Sequence, residues 1–181
     1  MTPPTSTALS RNLLRRFRRN RRGSAAVEFA LVAPMFFALL FAIIETGLIF
    51  FADQVLETAT ENSARMIFTG QAQKATFTQS QFKAYVCTQI PILFNCNNVF
   101  VDVQSFPSFS TVTINSQIDG TGNFVNNMQY TPGGPGDIVV VRLFYQWPIL
   151  VTRLGYNITN ITGNFRLLAA TAAFKNEPFV P

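Results

Sequence analysis

Residues 29–44 read Phe-Ala-Leu-Val-Ala-Pro-Met-Phe-Phe-Ala-Leu-Leu-Phe-Ala-Ile-Ile, an apolar run without a charge. Glu45 interrupts it, and Thr46 to Ala52 (TGLIFFA) resumes it. The whole stretch from Phe29 to Ala52 is about 24 residues, or roughly 36 Å as a helix, which is enough to cross a bilayer. A helix of a water-soluble core is rarely apolar on every face for this long. The sequence therefore predicts a transmembrane helix near the N-terminus.

The charges around this run assign its direction. Residues 1–23 carry seven arginines (Arg11, Arg15, Arg16, Arg18, Arg19, Arg21 and Arg22) and no acid. On the far side stand Asp53, Glu57 and Glu61. Positive charge is retained in the cytoplasm, so the N-terminus is expected inside and everything beyond about residue 52 outside. An ordinary secretory signal peptide shares the basic and apolar regions, but its apolar part is shorter and ends in a small-x-small cleavage site that is not evident here.

Composition excludes several functions. The net charge of +5 comes from the leader: from Ser24 onward the seven remaining basic residues face nine acids, a net of −2. A nucleic-acid surface on the folded part has no support. The 181 residues include no histidine, the commonest general base, and no Gly-rich phosphate loop, paired catalytic carboxylates or nucleophile elbow is evident. No catalytic residue, cofactor, metal or small-molecule substrate is expected. Charged residues are only 13% of the chain, against the usual quarter or so.

Between the arginines and the apolar run lies Gly23-Ser24-Ala25-Ala26-Val27-Glu28-Phe29. An acid inside hydrocarbon costs about 2.5–3.5 kcal/mol at mid-helix and less near the interface, so Glu28 needs a partner. A cut after Gly23 would give Ser24 a new α-ammonium group and make Glu28 the fifth mature residue. Its carboxylate could then neutralise the amine of its own or a neighbouring chain at low dielectric. The small residues at 24–26 leave room for a peptidase and for close helix packing. The competing reading is a plain helix start at Gly23 and an interfacial glutamate on an uncleaved anchor.

The G-S-A-A-V-E-F sequence ahead of a hydrophobic helix resembles the processing site of class III prepilins, those of tight-adherence (Tad/Flp) pili. The chain as a whole resembles their TadE-like pseudopilins. Further residues that carry the likeness are Gly136-Asp137-Ile138-Val139-Val140-Val141, with Tyr145 and Pro148 after it. The ending Ala172-Ala173-Phe174-Lys175-Asn176-Glu177-Pro178-Phe179 carries it too. It spans roughly residues 20–179, and Lys175 departs from the arginine expected there. Serine after the cut, in place of the phenylalanine of type IVa pilins, points to the Tad branch.

The resemblance implies cleavage between Gly23 and Ser24 by a prepilin peptidase, with Glu28 and Phe29 serving assembly. It implies partnership with other Tad pilins or pseudopilins, the assembly platform and membrane lipid. It also implies a minor role in pilus assembly and adherence rather than bulk fibre, since major pilins of this class are much shorter. The protein is expected in the bacterial inner membrane as a single-pass chain with a periplasmic C-terminal domain, and it could enter the pilus. The alternative is an uncleaved, membrane-anchored periplasmic adaptor or binding protein.

The expected organisation is a basic leader over 1–23, a transmembrane helix over 24–52 and an extracytoplasmic domain over 53–181. The helix should continue past the bilayer to about Thr69, with Gly70 as its cap. Leu48, Ala52, Val55, Ala59 and Met66 mark its apolar stripe, while Asp53, Glu57 and Glu61 form an acidic stripe at i, i+4. That acidic stripe is either a solvated face or a contact for a basic partner. Pro34 removes a backbone donor within the helix and should kink or loosen it.

A second helix is expected over 78–90, with Phe82, Tyr85, Val86 and Ile90 on one side and Pro91 stopping it. Strands are expected over 99–106, 109–115, 138–147 and 165–174, with a Gly, Asn and Pro-rich loop at 117–136. The fold class is thus α+β: a long helix leading into a domain with a short helix and a small antiparallel sheet. Cys87 and Cys96, both expected outside the cytoplasm, suit a disulfide worth about 2–3 kcal/mol by loop closure. Two thiols without histidine make a poor metal site. Asn157-Ile158-Thr159 and Asn160-Ile161-Thr162 match the N-glycosylation pattern but in a bacterial chain read as a polar loop.

Overall fold

The computed structural model describes residues 23–90, 93–151 and 156–179. The arginine-rich leader and Pro91 lie outside the described residues. The chain divides into two compact units, Met1–Ile43 and Ile44–Pro181, and helix α1 (Ser24–Phe68, 45 residues) contributes to both.

The described part of the first unit is the beginning of α1. Ala, Leu and Phe dominate it, residues with good or tolerable helix propensity. Its best 18-residue window has a mean hydropathy of 2.4, and none of that window is buried within the protein. Val27, Phe29, Leu31, Val32, Met35 and Phe36 are all exposed, so no single polar face exists. The helix runs through Pro34 without a break. Pro34 costs it the bond that residue 34 would otherwise give to the Ala30 carbonyl.

In the second unit α1 acquires a buried side. Glu45, Ile49, Ala52, Leu56, Ala59, Ser63 and Ile67 are buried at steps of three and four residues. The expected stripe is corrected at one residue: Leu48 is exposed, while Ala52 and Ala59 are buried and Val55 and Met66 pack half-buried against the core. The face also has small polar members, Thr60 and Ser63. Hydrophobicity alone misplaced Leu48, because in a chain this apolar strong residues also lie on the exposed side.

Gly70, at φ 73°, stops the helix in the left-handed region that glycine favours, and its N–H donates to the Ile67 carbonyl at 2.9 Å. A single turn, α2 (Gln71–Lys74), leads to α3 (Gln79–Gln89). Thr78 and Gln81 close a reciprocal capping box at the start of α3, and Phe82 and Val86 face the core. Cys87 on α3 is joined to Cys96 with a Cα–Cα distance of 5.7 Å, tying the helix to the residue block just before the first strand.

Three antiparallel strands follow: β1 (Val99–Phe106), β2 (Ile138–Pro148) and β3 (Phe165–Lys175), in the order β1-β2-β3. The central strand is buried from Ile138 to Tyr145. Val139, Val141, Leu143 and Tyr145 pack toward the buried side of α1. Phe144 on the opposite face is covered by Ile118, Phe124 and Met128 from the long connection between β1 and β2. Burial on both faces explains why this strand reads as a continuous apolar run.

The strand expected at 109–115 does not form. Phe109–Thr111 is a short 3-10 turn, and the following residues belong to the connection that crosses the second face of the sheet. Val112 and Ile114 do alternate with threonines, but Phe109 is out of phase with them, and Phe109 and Ile114 are exposed. Among the described residues no strand pairs with them.

Candidate processing and assembly site

Gly23 is exposed immediately before Ser24, the first residue of α1. A Cβ added at Gly23 would meet nothing within 4 Å. Nothing within the described chain therefore requires glycine at this position. Ala25, Ala26, Val27, Glu28 and Phe29 are also exposed, Phe29 at 69%. The structure thus presents the predicted scissile bond and both predicted assembly residues at the head of a helix whose apolar surface is open all round.

The second glutamate of the apolar region has a different setting. Glu45 is 6% exposed, and its carboxylate accepts hydrogen bonds from the backbone N–H groups of Leu150 and Val151, the latter at 3.1 Å. Nearby, the hydroxyls of Thr46 and Tyr156 lie 2.9 Å apart. Sequence reading treated Glu45 only as an interruption. A lone acid inside an apolar helix was the available signal that some polar group meets it.

The segments that carried the C-terminal family likeness come together. Gly136, at φ 85°, donates its N–H to the Asn176 carbonyl, and Asn176 donates to that of Asp137. The Asn176 amide reaches the carbonyls of Pro132 and Gly134 at 3.1 and 3.0 Å. Glu177 then donates its backbone N–H to the Phe68 carbonyl at 3.0 Å, satisfying one of the orphan acceptors at the end of α1. Phe179 lays its ring over Gly70, where any Cβ would overlap it. The Gly136–Val141 segment and the tail are therefore one latch that closes on the end of the long helix.

A charged pair that sequence reading missed sits in the sheet. Asp102 and Arg142 are opposite each other on β1 and β2, with side chains 1% and 6% exposed. Asp102 also accepts from the Gln129 N–H at 2.8 Å and the Gln104 amide at 2.9 Å. Arg142 donates to the Asn115 carbonyl at 3.0 Å and lies 5.3 Å from the centre of the Phe144 ring. These bonds hold two points of the 112–131 connection against the sheet. One acid in β1 and one base in β2, the only charges in those two strands, were the visible clue.

The remaining site residues have structural settings. Asn160 exchanges two hydrogen bonds with the Leu167 backbone, and Asn157 caps a turn to Thr159. Among the described residues no group of three or more Cys, Asp, Glu or His side chains is gathered as for a metal ion.

Residues 23–65 match the family model described as TadE-like protein. No curated protein and no solved structure matches the chain. The family match begins at the predicted scissile glycine and ends within α1. The α+β part beyond it is characterised by its own geometry.

Proposed function

We propose, from the match of residues 23–65 to the TadE-like family model, that this chain is a pilin-like protein of a Tad pilus system, a pseudopilin processed after Gly23. In this reading the leader holds the N-terminus in the cytoplasm and presents the Gly23–Ser24 bond to a prepilin peptidase. The helix sits first in lipid and then against the helices of other subunits, while the outer domain supplies an interaction surface in the periplasm. The role is structural, in pilus assembly and adherence, and not catalytic.

The observation that carries the reading is the coincidence at residue 23. There the family match begins, the exposed glycine lies and α1 starts one residue later. Glu28 follows one helical turn after Ser24, at the distance from which a carboxylate can reach a new α-ammonium group on its own or a neighbouring chain.

The test is the intact mass and N-terminal sequence of the protein from native membranes, with and without the peptidase. A peptidase-dependent start at Ser24 supports the proposal. A retained leader in both strains favours the uncleaved adaptor, and a start beyond residue 52 favours a secreted protein. Gly23→Val has open space within the described chain, so the fold should be unaffected; in the proposed reading the peptidase selects glycine there, and full-length precursor should remain. Glu28→Ala should still insert and be cut, yet incorporate poorly with partner pilins. Normal incorporation would sink the charge-neutralisation role.

A further inference from the structure

The free edge of β3 lies beside the acidic stripe of α1. One cleft, of about 390 Å³, is lined by Asp53 and Glu57 on the helix and by Leu167, Ala169 and Thr171 on the strand. A second, of about 510 Å³, continues it between Glu61 and Phe68 on the helix and Ala172 and Phe174 on the strand. The helix and strand therefore advance in the same direction along both walls, and the rings of Phe68 and Phe174 close the far end at 5.8 Å.

The strand's hydrogen-bonding direction is fixed by its neighbours. Leu167 turns its N–H and C=O away from β2, because both bond the Asn160 side chain. Asn176 turns its own toward the β2 side, bonding Gly136 and Asp137. By the two-residue period of an antiparallel ladder, Ala169, Thr171 and Ala173 also point their backbone groups outward. All three are exposed, and among the described residues none of these backbone groups has a hydrogen-bond partner. Asn160 blunts only the first residues of this edge. From Ala169 to Ala173 the open part has small side chains and no proline, and Lys175 is the charge that ends it.

We propose that this groove is a strand-addition site: an extended partner segment, basic at alternate positions, bonds Ala169, Thr171 and Ala173 and sets its cations against Asp53, Glu57 and Glu61. Spacing supports this occupant. Same-face residues of a strand recur every ~6.6–6.8 Å, and helix positions i and i+4 are about 6.0 Å apart along the axis. Three successive basic side chains can therefore each meet one acid. Arg166 lines the first cleft with Asp53 and Glu57, and Arg65 lines the second with Glu61, so three acids face two resident cations; among the described residues neither Glu57 nor Glu61 makes an ion pair with them. Backbone pairing of this kind supplies affinity while alternate side chains supply selectivity. The site goes beyond the pseudopilin reading and does not depend on cleavage at Gly23.

The test uses the full-length protein in uncharged detergent and a fluorescein-labelled nine-residue peptide of alternating lysine and valine. Binding is followed by fluorescence anisotropy. The lysine peptide should bind, and its glutamate counterpart should bind at least about tenfold more weakly. Thr171→Pro removes an outward donor while sparing the bonds to β2, so the sheet should survive and affinity should fall at least about tenfold. Glu57→Gln/Glu61→Gln, on the exposed helix face, should weaken binding several-fold and flatten its salt dependence. The proposal is overturned if the lysine peptide fails to bind or if its affinity is indifferent to both variants. It is equally overturned if the edge instead pairs two copies of this chain, seen as self-association that Thr171→Pro abolishes and the peptide does not compete.

Discussion

Arg142 donates from Nε and from Nη2 to a single oxygen of Asp102, Oδ2, at 3.0 and 2.7 Å, across the two adjacent strands β1 and β2. Arg142→Ala leaves a buried carboxylate without its cation and should destabilise the α+β domain by about 3–5 kcal/mol in thermal unfolding. Asp102→Leu/Arg142→Met should cost markedly less, because no buried charge is orphaned. In Arg142→Ala the 112–131 connection should also become the first site of limited proteolysis, since Asn115 loses its bond and Gln129 keeps an acceptor that no cation steadies. Equal losses in the single and double variants would contradict this.

At the end of α1, Gly70→Ala faces two penalties: a positive φ that disfavours any side chain, and the Phe179 ring already in place. A loss of about 2 kcal/mol or more is expected. Phe179→Ala in the same chain should recover part of it by removing the overlap, leaving the backbone strain. A double-mutant cycle by chemical denaturation measures the coupling, and strict additivity would show that the ring does not sit on residue 70 in solution.

Burial pushes the Tyr130 phenol up to about 12, and its hydroxyl has no hydrogen-bond partner among the described residues. The folded chain thus holds its proton where an unfolded chain, near 10, releases it. The associated stability is complete below pH ~10 and is lost as pH rises toward ~12. The ultraviolet phenolate difference between wild type and Tyr130→Phe should centre near 12. Tyr130→Phe should be neutral or slightly stabilising at pH 7, because it discards an unsatisfied group.

The Glu45 carboxylate should be read out by the two amides it holds. Glu45→Ala should speed hydrogen exchange at Leu150 and Val151 by about tenfold or more, equivalent to ~1.4 kcal/mol or more of local stability. Glu45→Gln keeps one acceptor and should have a smaller effect. Unchanged exchange in both variants would remove the link between residue 45 and the 149–151 segment.

Much of this architecture was legible in the chain. The long helix from Ser24, the strands beginning at Val99, Ile138 and Phe165, and the Cys87–Cys96 link follow from local signals: apolar length, β-branched content, turn residues and cysteine spacing. What was hidden depends on meetings between distant residues. The side of α1 on which Leu48 lies could not be read from hydrophobicity in a stretch this apolar, and Thr60 and Ser63 belong to the helix's core face for reasons of size. Residues 111–114 alternate like a strand, yet strand formation needs a partner that only the tertiary fold could refuse. The Thr78–Gln81 capping box was visible in the residues and unread. At the candidate processing site the sequence named Gly23, Ser24, Glu28 and Phe29, and the exposure of Gly23, Glu28 and Phe29 came from the structure.

The latch at Asn176 and Glu177 also sets an order of events. Phe68 and Gly136 are synthesised well before the residues that bond them, and β3 is the last of the described strands. Until residues 165–177 have emerged, the rest of the domain has to wait with one edge of β2 unpaired and the carbonyl of Phe68 without its Glu177 donor. A chain arrested or clipped before that stretch would remain open, and a protease could distinguish it from the closed fold.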